Sequence, residues 1–281
     1  MKAEEYYTAS QMRATVITRT DNQQPSIHDA PRIANMTDIS ESMRQQLLLM
    51  VEWAKTLSPF CNLSMGDQVV LLRNYAAQHL LICVAYRSRL VTDRLLLTNS
   101  TCLPRNIDSS EISDANNVTK RALDELVRPM RDLVVDEIEF VCLRAIVFFN
   151  PMAKGLEDSV GLVSETRQTI IGALQHHITS KCASFDPYRF ANLLLLIPPL
   201  QAISQNLKED LQLASMFGMA RFDSLLQELL IPDSNGTEEE NGKAQTTAIG
   251  LDDKNDSPIF PLNRPMLPND AENSGLKRDN A

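Results

Sequence analysis

The stretch WAKTLSPFCNLSMGDQVVLL, from Trp53 to Leu72, decides the fold predicted for this chain. Before it, apolar residues recur one helical turn apart up to Trp53, which is the period of a helix that buries one face. Pro59 stops that helix, because proline lacks an N–H group and clashes with the preceding turn. Ser64 is then a typical N-cap, with Asp67 complementing the positive end of the helix dipole. The stretch therefore predicts one helix ending, a tight passage and a second helix beginning.

The second helix is apolar almost all round from Val69 until Arg87. A helix of this kind lies in the centre of a stack of helical layers. Arg87 stands near its end and either reaches water along its aliphatic stem or pairs with a carboxylate. The sequence pattern alone leaves both interpretations of Arg87 open.

The remaining periodicity predicts an all-α chain with one short β-hairpin, Leu95–Leu97 with Thr101–Leu103. Candidate caps at Thr37, Asp38 and Ser40 open the first helix. The other predicted helices are one from about Val118 to Pro129, one capped by Asp136, Ser159–Ile178, Asp186–Met216 interrupted at Pro198–Pro199, and Arg221–Leu230.

Composition sets the domain limits and excludes several classes of protein. Residues 1–34 read as a flexible arm or hinge remnant, 35–231 as one domain, and 232–281 as a disordered acidic tail. The net charge of −9 gives no basic footprint for nucleic acid, and no stretch approaches the roughly 18 apolar residues of a membrane span.

The dispersed cysteines favour reduced core thiols over disulfides or a metal site. They are Cys61, Cys83, Cys102, Cys142 and Cys182.

The gapped pattern W-A-K-x4-F-x2-L-x3-D-Q-x2-L-L resembles the signature of nuclear-receptor ligand-binding domains, of the hepatocyte nuclear factor four type within the retinoid X receptor-related subfamily. Over Ala34–Ile231 the resemblance implies a three-layer antiparallel α-helical sandwich with a ligand cavity, a surface groove and a nuclear location. Such receptors also carry a zinc-containing DNA-binding domain, which these cysteines do not form, so no direct DNA contact is expected. The resemblance rests on Met50–Lys55, Asp67–Arg73, Asp124–Val127, Phe148–Leu156, Leu193–Gln201 and Phe217–Leu230.

The groove implied by the resemblance binds a coactivator helix with an L-x-x-L-L face. Such a helix leaves backbone N–H groups free at one end and carbonyls free at the other. Lys55 matches the family's lysine for the carbonyls, and Glu228 matches its glutamate for the amides. Both residues also read as ordinary solvated charges. The full predicted groove is Val51, Lys55, Val69, Leu72, Arg73, Leu225, Glu228 and Leu229.

The cavity implied by the resemblance holds a fatty acid, whose carboxylate meets the arginine matched by Arg87. Ser42, Met43, Gln46 and Thr98 complete the predicted ligand site, and Thr98 departs from the family, where a glycine is usual. Without the resemblance, Ser42 and Gln46 read as a solvated helix flank. Leu81, Val84 and Met219 are expected to supply apolar wall. No catalytic residue, metal site or cofactor other than a bound fatty acid is expected.

The apolar segment around Pro198 matches the family's dimer helix and predicts a homodimer. Two other functions stay open: a partner that cannot bind DNA and modulates full-length receptors, and a helical lipid carrier. The sequence has no G-x-S-x-G motif, phosphate loop or metal-ligand cluster, which argues against an enzyme. The predicted dimer interface is Leu193, Leu194, Leu196 and Leu200.

Overall fold

The structure, a computed structural model, describes residues 31–106, 114–181 and 186–231. The predicted arm before residue 31 and the predicted tail after residue 231 lie outside these ranges. So does Cys182. The described elements are β1 (Arg32–Ile33), α1 (Met36–Ala54), α2 (Ser58–Cys61), α3 (Met65–Ser88), β2 (Arg94–Leu96), β3 (Thr101–Pro104), α4 (Val118–Ala122), a π-helical turn (Leu123–Val127), α5 (Arg128–Asp132), α6 (Glu137–Phe148), α7 (Val160–Lys181), α8 (Arg189–Leu194), α9 (Ile197–Met216) and α10 (Ser224–Leu230).

Helix α3 is the centre of the helical sandwich, as its apolar sequence predicts. It packs against α1, α6, α9 and α10. Ser64 caps it as expected, because its hydroxyl accepts a hydrogen bond from the Asp67 N–H at 3.1 Å. The helix is long and apolar enough to cross a membrane, but most of its apolar stretch is buried inside the fold, as in any central core helix. The all-α, three-layer prediction is confirmed.

The signature residues form the aromatic centre of the core. Trp53 packs edge-on against Phe148, with ring centroids 5.3 Å apart, and Tyr75 meets Phe148 at the same distance. Gln68 donates from Nε2 to the Leu63 carbonyl at 3.1 Å and so closes the passage from α2 into α3. Trp53 and Gln68 of the motif therefore help to fix the junction of α1, α2 and α3.

The predicted hairpin is part of a three-stranded sheet with strand order β1-β3-β2. β2 and β3 pair antiparallel with Leu95 opposite Leu103, while β1 pairs parallel to β3 with Arg32 opposite Thr101. Residues 32–34 are held by the sheet, and the Ala34 N–H donates to the Cys102 carbonyl at 2.9 Å.

Two helix boundaries differ from the sequence prediction. Asn35, and not one of the predicted caps, begins α1 in a capping box with Asp38, in which each side chain accepts from the other's backbone N–H. Pro129 does not end the helical run that begins at Val118, because it falls in the first turn of α5, directly after the π-helical turn. Asp136 does cap α6 in a second capping box, as predicted.

Candidate functional site

A cavity of about 110 Å³ lies between α1, α3, the hairpin, α4 and α9. Four of the five predicted ligand-site residues line it, namely Ser42, Met43, Gln46 and Arg87, together with the predicted wall residues Leu81 and Val84. The fifth residue, Thr98, lies behind Ser42. Its backbone N–H donates to the Ser42 hydroxyl at 3.2 Å, and the two hydroxyl oxygens are 2.8 Å apart. Met219 is exposed and is not among the lining residues.

Buried polar groups face the cavity from α1. Ser42 and Gln46 are almost fully buried, so they do not form a solvated flank. The backbone carbonyl of Gln46 accepts a hydrogen bond from His79 Nε2 at 3.1 Å. Gln46 itself is only 5% exposed and lines the cavity.

Arg87 lies at the hairpin side of the cavity, in the last turn of α3. It is half-buried, and its Nη1 lies 3.5 Å from the Leu96 carbonyl oxygen. That contact is too long to be a strong hydrogen bond. Arg87 therefore lies between the hairpin and the cavity and is one of the residues that line the cavity.

Two carboxylates line the same cavity, and sequence reasoning missed both. Asp210 on α9 is 3% exposed, and its carboxylate accepts from the Asn116 backbone N–H at 3.3 Å and from Asn116 Nδ2 at 2.9 Å. Burial raises the pKa of Asp210. Asp114 accepts from the Val118 and Thr119 backbone N–H groups at 2.5 and 3.3 Å. The sequence held a signal for Asp210 only. It is an acidic residue between Leu207 and Leu211, on the apolar stripe of its helix.

The cavity is small for a lipid. Pockets that enclose small molecules measure roughly 300–1,000 Å³, against about 110 Å³ here. Met36 and Met43 line it, and methionine side chains repack readily because they are unbranched and flexible. A long-chain ligand therefore requires these walls to move.

The last helix, α10, packs on α3 and α1 and brings part of the predicted groove together. Arg73, Glu228 and Leu229 line a surface pocket of about 420 Å³ beside α9. Val51 and Leu72 are buried, while Val69 and Leu225 are half-buried. Lys55 is not among the residues lining this pocket, so the groove from Lys55 to Glu228 stays a prediction.

Both predicted clamp residues have ionic neighbours. Glu228 pairs with Arg73 of α3, and Lys55 Nζ lies 3.1 Å from the Glu52 carboxylate. These pairs are solvent-accessible, so each contributes about 0.2–1 kcal/mol and can exchange with a partner helix.

A second ion pair attaches the start of α10 to α1. Asp223 caps α10 by accepting from the Leu226 N–H at 2.9 Å, and its other oxygen lies 2.8 Å from Arg44 Nε. One carboxylate therefore both begins the last helix and fixes its position on the fold. Sequence reasoning placed the start of this helix near Arg221 and gave no role to Asp223 or Arg44.

The core contains a buried cation that sequence reasoning also missed. Arg144 of α6 is 1% exposed, and its guanidinium carbon lies 4.4 Å above the Trp53 ring. Its Nε and one Nη, like the Tyr75 hydroxyl, have no hydrogen-bond partner in the described part of the chain. Its place in the apolar run FVCLRAIVFF was the available signal.

The predicted dimer segment is divided between α8 and α9. Leu193, Leu196 and Leu200 are buried inside the chain itself and Leu194 is half-buried, whereas Leu195 is 65% exposed. The break falls at Leu195–Leu196, because Pro198 and Pro199 fit the first turn of α9 and do not interrupt it. On this surface a partner subunit would contact the exposed Leu195, because Leu193, Leu196 and Leu200 are buried inside the chain itself.

Comparison with known proteins agrees with this architecture. Residues 27–217 match the family described as the ligand-binding domain of nuclear hormone receptor. The chain is 46% identical over 224 residues to nuclear hormone receptor family member nhr-64 of Caenorhabditis elegans, covering 79% of this chain and 58% of that protein. It is 46% identical over 201 residues to hepatocyte nuclear factor 4-gamma of Homo sapiens, covering 71% and 48%.

The chain spans about half the length of these two relatives. A third relative, the transcription factor HNF-4 homolog of Drosophila melanogaster, is 40% identical over 203 residues. The relatives are receptors and transcription factors rather than enzymes, and hepatocyte nuclear factor 4 receptors are among them. Because the family match extends over more than half of the chain, the chain belongs to the nuclear hormone receptor ligand-binding domains.

Proposed function

We propose that this chain is the ligand-binding and coactivator-recruiting part of a nuclear transcription regulator, and that it binds an L-x-x-L-L helix beside α10. The observation that supports this most is the docking of α10 on α1 and α3, fixed by the Arg44–Asp223 and Arg73–Glu228 ion pairs. Leu229, Glu228 and Arg73 then surround one surface pocket.

Binding of the partner helix would rest mainly on apolar contact. Lys55 would meet the free carbonyls at one end of that helix, and Glu228 the free amides at the other. Each such contact contributes about 0.3–1 kcal/mol at an exposed site. Apolar burial at about 25 cal/mol per Å² exceeds this once more than a few tens of Å² are covered.

Peptide affinity tests this proposal. Fluorescence anisotropy of a labelled L-x-x-L-L peptide should show several-fold weaker binding to Lys55→Ala and to Glu228→Ala. The matched controls Lys154→Ala and Glu165→Ala remove exposed charges elsewhere and should bind as the unchanged chain does. Equal affinity for all five proteins would end the clamp proposal.

The cavity would hold a fatty acid with its carboxylate at Arg87, as a second part of the same proposal. Ser42 and Gln46 would add hydrogen bonds, and a guanidinium binds a carboxylate through two parallel bonds. Ser42 and Gln46 are almost fully buried and both line the cavity, which supports a ligand at this place.

Extraction and mass spectrometry of the purified chain test the cavity. We expect bound fatty acid in the unchanged chain and in Arg128→Gln, whose side chain is exposed, but strongly reduced amounts in Arg87→Gln. Equal fatty acid in all three would remove Arg87 from the site. No fatty acid in any of them, with none taken up on addition, would end the fatty-acid proposal.

A homodimer, formed through the exposed side of α8 and α9, completes the proposal. No direct DNA contact is proposed for this chain. The alternative role, a partner that modulates full-length receptors, uses the same dimer surface. Co-expression with a full-length relative would separate it from homodimer function.

A further inference from the structure

The surface pocket beside α10 carries more positive than negative charge. Its charged lining residues are Arg73 of α3, Lys208 of α9 and Glu228 of α10. Glu228 pairs with Arg73, so the positive charge of Lys208 is left without compensation from the pocket. The whole chain has a net charge of −9, and this pocket therefore has the opposite sign to the chain that carries it.

Lys208 is a half-buried ammonium without an acidic partner. It forms no hydrogen bond or ion pair within the part of the chain that the structure describes. The carboxylate of the next residue, Glu209, lies 3.4 Å from Gln205 Nε2 and 3.5 Å from Asn116 Nδ2 instead. Burial lowers the pKa of Lys208, and no described carboxylate opposes that shift. A charge removed from water without a counter-charge costs free energy, so a carboxylate supplied by a partner would stabilise Lys208.

The direction of the proposed partner helix brings its first residues to this pocket. Glu228 lines the pocket and is the residue proposed to accept from the first amides of the L-x-x-L-L helix. The residues that precede the first leucine would therefore lie beside Arg73 and Lys208. The residues that follow the last leucine would lie at the other end of the helix, at Lys55.

We infer that this pocket selects partner helices with an acidic residue two or three positions before the first leucine. The carboxylate of that residue pairs with Lys208, and Arg73 lies between it and Glu228. This inference rests on the proposed binding of an L-x-x-L-L helix and adds the class of partner. It also gives α9, which lines the cavity on another side, a direct contact with the partner.

An acidic residue at the start of a helix is favourable for a second reason. It complements the positive end of the helix dipole, whatever the helix is bound to. That contribution does not depend on Lys208, whereas the inferred ion pair does. A change at Lys208 therefore separates the two.

Fluorescence anisotropy of four labelled peptides with the full chain tests the inference. All four share one L-x-x-L-L core. Three of them have glutamate, glutamine or lysine at both the second and the third position before the first leucine, and the fourth has its two glutamates five positions further out. The first should bind about fivefold tighter than the glutamine peptide, as expected for an ion pair that water partly screens. The lysine peptide should bind most weakly, and the distant glutamates should give a smaller gain because they lie beyond the pocket.

Variants then assign the preference to Lys208. Lys208→Gln should lower the affinity ratio of the near-glutamate to the glutamine peptide about threefold. Lys208→Arg keeps the positive charge and should keep the ratio. Lys120→Gln removes an exposed lysine from α4 and should also keep it. The ratio compares two peptides on the same protein, so a general weakening of the α10 position does not imitate the expected result.

The outcomes separate this inference from the proposed function. If the near-glutamate and glutamine peptides bind equally, if the distant glutamates give the same gain, or if the full ratio survives in Lys208→Gln, the inference on partner class is overturned and L-x-x-L-L binding stands. If none of the four peptides binds the unchanged chain, the proposed coactivator recruitment itself fails.

Discussion

At the scale of single residues, the described core contains polar side chains whose environment sets their charge. His79 donates from Nε2 to the Gln46 carbonyl, so its neutral form carries the proton on that nitrogen. Burial, with help from the Arg144 charge, lowers the pKa of His79 well below 6.5. Arg144 is charged but stacks on Trp53 rather than meeting a described carboxylate.

The neutral state of His79 makes stability depend on pH. The unfolded chain binds a proton near pH 6.5, whereas the folded chain does so only at a much lower pH. Between those values the unfolded state holds one more proton, so acid lowers the free energy of unfolding by up to about 1.4 kcal/mol per pH unit. Urea unfolding of His79→Gln should show a shallower fall from pH 7 to pH 5. His176→Gln, at an exposed position, should keep the original slope, and equal slopes for both variants would contradict the assignment.

Arg144 is expected to cost stability rather than supply it. Arg144→Met keeps the volume over Trp53 and removes a buried charge that has no carboxylate partner in the described ranges. The free energy of unfolding should be unchanged or higher by about 1 kcal/mol, whereas Arg144→Ala should lose about 2–4 kcal/mol through the cavity it leaves. Urea unfolding measures both, and equal destabilisation would mean that the charge itself stabilises the fold.

At the scale of elements, α10 is short and depends on its contacts. Seven residues are too few for a stable isolated helix, so the Asp223 cap and packing on α3 maintain it. The apolar residues Leu226, Leu229 and Leu230 are buried against the fold. The position of this helix therefore follows from one cap, two ion pairs and three leucines.

Removing the cap should loosen α10. Asp223→Ala loses both the hydrogen bond to the Leu226 N–H and the pair with Arg44, and a lost cap costs about 0.5–2 kcal/mol. Hydrogen–deuterium exchange over Ser224–Leu230 should be several-fold faster, and L-x-x-L-L peptide binding weaker. Asp158→Ala, an exposed position before α7, should change neither. Unchanged exchange in Asp223→Ala would show that packing alone fixes the helix.

Sequence patterns predicted elements better than they predicted sites. Ser64 and Asp136 were found as caps because the capping interaction is local. β1 was missed because its two residues pair with a strand about 70 positions away, which no local period records. Asp210 was missed for the same reason: its role depends on Asn116, which tertiary packing brings to it. Ser42, Gln46 and Arg87 came from the resemblance, and periodicity alone favoured solvent for the first two.

At the scale of the whole molecule, one fold presents a cavity, a surface pocket beside α10 and an outer apolar segment. α3 connects them, since its N-terminal half contacts α10 and its C-terminal half lines the cavity. α9 lines the cavity with Asp210 and begins beside the exposed Leu195. We therefore expect a ligand that moves α9 to affect both the surface pocket beside α10 and the exposed side of α8 and α9.

Self-association is predicted to use the exposed side of α8 and α9. Light scattering at micromolar concentration should give twice the mass of the chain. Leu195→Glu places a charge on that surface and should yield monomers, while Leu90→Glu, at a position that is also highly exposed, should not. A monomer for the unchanged chain would refute the homodimer, and a dimer that survives Leu195→Glu would place its interface elsewhere.

The crystal structure of the chain with an L-x-x-L-L peptide tests the central claim, recruitment of a coactivator helix, most directly. We predict a two-turn helix between α1, α3 and a docked α10, with its last carbonyls within hydrogen-bond distance of Lys55 Nζ and its first amides at the Glu228 carboxylate. A peptide bound away from both residues, or one that lies where α10 now packs on α3, would contradict this account.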